Sequence, residues 1–383
     1  MRMFRRIIFF PIQRRLTVLV WLAVVVQCGL AYAHSASLLM LARKGWTLQT
    51  LREAGALRQM HLFHGVISFG VAGKTLAVVG VRPGANGSSP KLAFTLWNTT
   101  TMTTISKGAA GALRFMPPPP IAGIQEGVGI VGAGAYFQAW KLRKAGNPAS
   151  LSPEKSWIAC VNTRTGVTAG KLSLPLKKQS DPLFRAVTVP RGVIFYCACG
   201  RKHARAWWYT PSTGAISRRI LRSVPKGGGL VYASRYGLVA WDRHGGFKRL
   251  AQANMATARK RVFAGPPGIA NAHVVYVGGR PLLACVAFLG GTGNPAPRPA
   301  QTVLYMYDLG AHKVLWSKTF RGTFGSLAKS FAASPGGNLF TFINWRRQTI
   351  QFYNHRNGQL TEVRLPSEYQ ASSLRYDRVI SVR

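Results

Sequence analysis

From about residue 36 onward the chain alternates short apolar runs with polar turns. In QTIQFYNHRNGQLTEVRLP (348–366) an apolar run stops at Asn354, a turn closes on Gly358, and a second run goes out to Pro366. A β-branched or aromatic run, a polar residue, a short glycine-bearing turn and a return run are the marks of a hairpin. The same order recurs in KLAFTLWNTTTMTTI (91–105), KSWIACVNTRTGVTAGKLSLP (155–175) and RAWWYTPSTGAISRRIL (205–221). It recurs again in GLVAWDRHGGFKRL (237–250) and TVLYMYDLGAHKVLWSKTF (302–320). The polar position is Asn98, Asn162, Thr210, Asp242, Asp308 and Asn354 in turn. An Asn or Asp side chain there can accept bonds from the turn's own amides. A further apolar run precedes most hairpins: KTLAVVGV (74–81), GAYFQAWKL (134–142), GVIFYCACG (192–200), RPLLACVAFL (280–289) and GGNLFTFIN (336–344).

The repeating unit is therefore three or four antiparallel strands. One such sheet cannot cover both of its apolar faces, but sheets stacked radially cover each other. All-strand repeats of this size predict a β-propeller. Six hairpins plus one blade built jointly by ASLLMLARKGWTLQTL (36–51) and SSLRYDRVISVR (372–383) give seven blades, with six or eight as the alternatives. Residues 34–383 form this single all-β domain, closed by pairing of its N- and C-terminal strands.

Two repeats carry a family likeness. SPGGNLFTFINWRRQTIQFYNHRNG (334–358) resembles the S-P-D-G, strand, strand, D-x-x-T-G frame of bacterial WD40-like and YVTN propellers, with Gly336 where that frame has Asp. YDLGAHKVLW (307–316) is similar to the docking motif of quinoprotein-type repeats, whose Trp, here Trp316, stacks between blades. The resemblance implies the fold. It says little of function, because such propellers host many activities, lactonases and dehydrogenases among them.

The N-terminus adds an address. Arg2, Arg5, Arg6, Arg14 and Arg15 precede an apolar run from Leu16 to about Leu30, which ends in Ala31-Tyr32-Ala33. A basic head, an apolar middle and a small-residue exit describe a secretory signal peptide. Residues 1–33 are thus a signal peptide, or an uncleaved anchor helix. Either form places the rest outside the cytoplasm: in the periplasm, at the cell surface or secreted.

The charge is lopsided, with 51 Lys and Arg against 9 Asp and Glu, a formal +42. Such a balance draws in anions. The expected partners are an anionic polymer, a lipid surface or an envelope protein. Specific nucleic-acid binding is not expected, and a monomer is. The opposing explanation is a proteome-wide habit, such as growth in acid, because the cations are spread over the whole chain.

Enzymatic sets are missing from the sequence. A glycosidase needs two carboxylates facing one bond, and Asp242 and Asp308 already hold turn positions. His61 and His64 share HLFH, yet no acid or Cys completes a metal set nearby. The G-x-G-x-x-G of residues 127–132 lies between strands with no helix after it, unlike a nucleotide-binding turn. Cys160, Cys197, Cys199 and Cys285 sit in apolar runs, which favours buried thiols packed as small hydrophobes over redox pairs or disulfides. No cofactor, metal site or catalytic residue is assigned.

What is left is a set of basic loops between the second and third strands of the units: 81–91, 141–155, 200–205, 290–301 and 344–348. They carry Arg82, Lys141, Arg143, Lys144, Arg201, Lys202, Arg205, Arg298, Arg346 and Arg347, with Trp345 as an aromatic platform. In a propeller these connections emerge on one face. The expected function is that of a non-enzymatic binding or scaffolding module engaging an anion through that face. The alternatives are a lactonase-like or quinoprotein-like enzyme and an envelope assembly factor.

Overall fold

The computed structural model describes residues 38–41, 47–50, 58–61, 66–82, 91–99, 101, 103–114, 125–142, 153–165, 168–174, 185–197, 204–221, 228–241, 246–250, 262–264, 268–289, 301–321, 331–344, 347, 349–364 and 378–381. The leader assigned to residues 1–33 lies outside them. The described residues form seven hydrogen-bonded sheets, six of four strands and one of five. We number them I to VII in chain order and give the closing sheet the last number.

Sheet I runs outward through Val66–Ala72, Thr75–Arg82, Lys91–Asn98 and Thr103–Arg114. Sheet II comprises Val128–Val131, Gly134–Leu142, Pro153–Asn162 and Thr168–Leu174. Sheet III comprises Arg185–Val189, Gly192–Cys197, Ala204–Thr210 and Ala215–Leu221. Sheet IV comprises Gly229–Ala233, Gly237–Trp241, Gly246–Leu250 and Val262–Ala264. Sheet V comprises Ile269–Val277, Arg280–Leu289, Gln301–Asp308 and Lys313–Arg321. Sheet VI comprises Ala332–Ala333, Leu339–Asn344, Thr349–Asn354 and Leu360–Arg364. Sheet VII joins the two ends of the chain. Its inner strand Arg378–Ser381 pairs antiparallel with Leu38–Leu41, placing Leu39 opposite Ile380. The strands Thr47–Thr50 and Arg58–His61 follow outward.

The first strands of sheets I to VI contact one another in order, and that of sheet VI meets Arg378–Ser381. These inner strands surround a common axis while the fourth strands lie at the rim. This is the all-β propeller arrangement that the strand repeats predict.

The period-2 alternation of a strand explains the stacking. In sheet III, Val193 and Phe195 face sheet II and pack with Tyr136 and Ile158. Ile194 and Tyr196, one residue out of step, face sheet IV and pack with Leu230, Leu238 and Ala240. Both faces are covered, so the strand reads as an unbroken apolar run rather than an alternating one. Sheet V repeats the pattern. Leu283 and Cys285 face sheet IV, whereas Leu282, Ala284 and Val286 face sheet VI. Further apolar contacts join sheets I and II through Phe94, Leu96, Val128 and Phe137. Each fully buried Phe or Leu in these layers contributes about 1.5–3 kcal/mol.

Polar bonds tie the same junctions. Ile130 N–H donates to Thr188 Oγ1 (3.2 Å) and Leu230 N–H donates to the Tyr196 hydroxyl (3.2 Å). Tyr276 N–H donates to Pro335 O (2.7 Å). Of the described glycines, Gly70 is the most tightly enclosed: a Cβ there would fall 1.9 Å from Val128 O, between sheets I and II. Only glycine fits there.

The turn chemistry follows the hairpin reading at four anchors. Asn98 Oδ1 accepts from Thr101 N–H (3.2 Å). Asn162 Oδ1 accepts from Arg164 (2.8 Å) and Thr165 (3.1 Å). Asp308 Oδ1 accepts from Gly310 (2.7 Å) and Ala311 (3.0 Å), and Asn354 Oδ1 from Arg356 (3.0 Å). At Thr210 the backbone carbonyl takes this part, accepting from Thr213 N–H (3.3 Å). Asp242 lies outside the described residues. The sheet order does show that its hairpin joins the second and third strands of sheet IV, whereas the other five join third and fourth.

Trp316, on the rim strand of sheet V, packs on sheet VI. Its ring meets Phe340 edge-on (5.1 Å between centroids) and stacks on His355 (4.1 Å, 13°). This is the inter-blade stacking that the quinoprotein-type resemblance implies.

Candidate anion-binding face

In an up-and-down sheet, the second-to-third connections leave from the end at which the inner strand begins. All five basic loops singled out in the sequence are such connections. They follow the second strands of sheets I, II, III, V and VI. The register fixes what stands at their feet.

Arg82 closes the second strand of sheet I and is paired with Lys91, which is itself paired with Arg114. A row of three cations thus crosses the end of sheet I. On sheet II, Lys141 is paired with Lys155. On sheet III, Arg205 is paired with Cys197 and with Ile220. Like charges directly opposite in a sheet destabilise it. The side chains of Arg82, Lys91, Arg114, Lys141, Lys155 and Arg205 lie outside the described residues, so each is placed by backbone register. Arg143, Lys144, Arg201, Lys202, Arg298, Trp345 and Arg346 lie outside them altogether.

Arg347 is described in full. It is exposed, and its Nη1 stands 3.6 Å from Glu362 Oε2 on the rim strand of sheet VI. Glu362 also accepts from Gln351 Nε2 (3.2 Å). The nearby Thr349 hydroxyl favours the charged form and holds the Glu362 carboxyl below the usual range. Burial opposes this, and Gln351 and Arg347 add to it. Arg347 is therefore partly neutralised.

The register adds residues that the sequence reading passed over. Lys91, Lys155 and Arg114 became visible only once their cross-strand partners were fixed. Arg243 falls in a second-to-third connection because the hairpin of sheet IV is out of phase with the rest. Arg185 begins the inner strand of sheet III, at the same end as Arg205. A lone Arg ahead of AVTV gives no sequence signal.

Several other candidates occupy structural positions where they are described; Cys199 and the Cys197 side chain lie outside the described residues. His61 ends a strand, and His64 lies outside the described residues. Gly129 lies on an inner strand against Val193, and Gly132 takes a positive φ in the following turn, so the glycine motif serves packing and a hairpin. Cys285 is fully buried, and Cys160 packs beside Tyr136; both are free thiols. Burial pushes the Cys160 thiol up, with the Tyr136 hydrogen bond opposing. Among the described residues no group of three His, Cys, Asp or Glu side chains can hold a metal ion.

The fold defines a β-propeller, and solved structures agree with that class. No family model and no curated protein matches the chain in sequence. A proposed 6-phosphogluconolactonase from Bacteroides uniformis is similar over 91% of this chain and 97% of its own, at 10% identity and a TM-score of 0.51. The β-propeller domain of Cps50 (Swd1) from Myceliophteria thermophila covers 80% of this chain and 88% of its own, at 14% identity and a TM-score of 0.47. TolB from Acinetobacter baumannii covers 91% and 67%, at 14% identity and a TM-score of 0.41. Identities this low speak to the fold alone. The named proteins include both enzymes and others, so no activity is carried across.

Proposed function

We propose that this chain is an exported, seven-bladed β-propeller that acts as a binding or scaffolding module for an anionic polymer. The seven sheets in sequential order and the terminal pairing support the seven-fold ring. The arginine-rich head, apolar run and Ala31-Tyr32-Ala33 support export.

The observation that carries the ligand class is the register of cations at one end of the sheets. Arg82, Lys91 and Arg114 stand in one row and Lys141 and Lys155 in another. Repulsion within these rows costs stability in the free protein, and a polyanion lying across them turns the cost into affinity. The chain has only 9 acids to answer its 51 cations. Polyanion binding of this kind weakens as salt rises.

The test is retention on an immobilised acidic polysaccharide over a salt gradient. Reversing Arg82, Lys91, Lys141 and Lys155 to Glu should abolish retention. So should reversing the loop set Arg201, Lys202, Arg346 and Arg347. Retention equal to that of a variant with four reversals at the opposite end would refute the face.

A further inference from the structure

Arg185 stands apart from the other cations of this face. It begins an inner strand, so it lies at the axis rather than along the loops. Its side chain is half-buried at the junction of sheets III and IV. Among the described residues its guanidinium has one polar contact, Nη1 to Gly228 O at 3.5 Å. A guanidinium carries five N–H donors in a planar fork suited to carboxylate and phosphate. One long bond to a carbonyl leaves most of that fork unused, and no carboxylate lies within ion-pair distance among the described residues.

The short strand Gln125–Glu126 adds to the inner edge of sheet I, with Glu126 opposite Phe69. It also contacts the inner strand of sheet III. Exposed Glu126 is thus an acid on an axial strand beside the inner strand of sheet III, and its charge opposes an incoming anion.

We propose that Arg185 forms an oxyanion seat at the axial mouth of the basic face, taking one phosphate or carboxylate group of the polymer. The seat rests on the reading of that face and specifies where a single charged group is held by geometry rather than by general field. The loops supply long-range attraction. The fork supplies orientation, because two parallel N–H···O bonds fix a planar group where a point charge does not.

The test measures the affinity of the full chain, by calorimetry at fixed ionic strength, for two probes: inorganic tripolyphosphate and an oligogalacturonate. Arg185→Gln should weaken binding of at least one probe about tenfold, the loss expected for one charge-assisted pair. The probe affected identifies the phosphate or the carboxylate source. Arg191→Gln removes the same charge from the hairpin at the opposite end of sheet III and should change affinity less than twofold. Glu126→Gln should tighten binding. Equal losses for the Arg185 and Arg191 variants would overturn the seat, as would no loss on either probe or no gain from Glu126→Gln. If Arg185→Gln does not fold, Arg185→Lys is read instead. It keeps the charge without the fork and should still lose severalfold, and full affinity would count against the seat. Normal affinity in the Arg185 variant with lost retention in the loop-face variants would remove the seat and leave the face standing.

Discussion

Asp308 gives the sharpest test of how the hairpins are held. The carboxylate is buried at the end of the third strand of sheet V. One oxygen accepts both Gly310 N–H and Ala311 N–H, and the other meets Arg280 Nη2 at 2.7 Å. Hydrogen bonds to a charged group contribute about 1.5–3 kcal/mol each. The turn is open to water, so the low end applies, and the two amide bonds together give about 3 kcal/mol. Arg280 is 65% exposed, and its ion pair adds under about 1 kcal/mol. Asp308→Ala should therefore cost about 3 kcal/mol. In a chain of this size that is a fall of about 6 °C in Tm, at about 2 °C per kcal/mol.

Asp308→Asn keeps a neutral acceptor on both amides and should cost only about 1 kcal/mol. Asn already does this work at Asn98, Asn162 and Asn354. Burial alone would raise the Asp308 pKa. The bonds from Ala311 and Gly310, with Arg280 and Lys313, overcome that and hold it below its ordinary 3.8. A depressed folded pKa stabilises at every pH above the unfolded value, and the stabilisation fades as pH falls through the folded one. The gap in Tm between wild type and Asp308→Asn should hold from pH 7 to pH 5 and start to close only as the pH falls below about 3.8. Thermal melts read by circular dichroism give all three numbers. Equal losses for Ala and Asn, or a gap that widens in acid, would refute the reasoning.

Trp316→Ala should remove the stack on His355 and the edge contact with Phe340, costing about 2–3 kcal/mol at the sheet V–VI junction. Trp316→Phe should recover part of it, and the same melts check both. Gly70→Ala should drive Val128 and its strand outward and cost more than about 2 kcal/mol, which denaturant titration would register. Cys285, fully buried, should resist a thiol reagent until the protein unfolds, and Cys160 should react slowly in the native state; the kinetics of thiol modification distinguish them. Glu362→Gln should remove the ion pair that offsets the Arg347 charge and raise retention on an acidic column, whereas unchanged retention would place Arg347 outside the binding face.

The fold was legible because the apolar runs and turn residues agree. GVIFYC reads as a strand covered on both faces, and Asn162 and Asn354 announce the turns they cap. The phase of sheet IV was not legible. Asp242 looks like the other anchors, and only the pairing shows its hairpin to be one strand earlier. The candidate site was half legible. Basic loops can be read directly, but Lys91, Lys155 and Arg114 gain meaning only from the residues opposite them. Arg185 is an ordinary first residue of a strand until the ring places it at the axis.

The closing contact is the claim on which face, axis and seat all depend. Leu39→Cys with Ile380→Cys, oxidised and mapped by mass spectrometry of the linked peptides, tests it directly. Paired antiparallel residues lie within disulfide range, so the account predicts an intramolecular 39–380 bridge that forms readily and raises Tm. Failure of the two cysteines to join in the folded monomer, or bridges formed only between molecules, would contradict it.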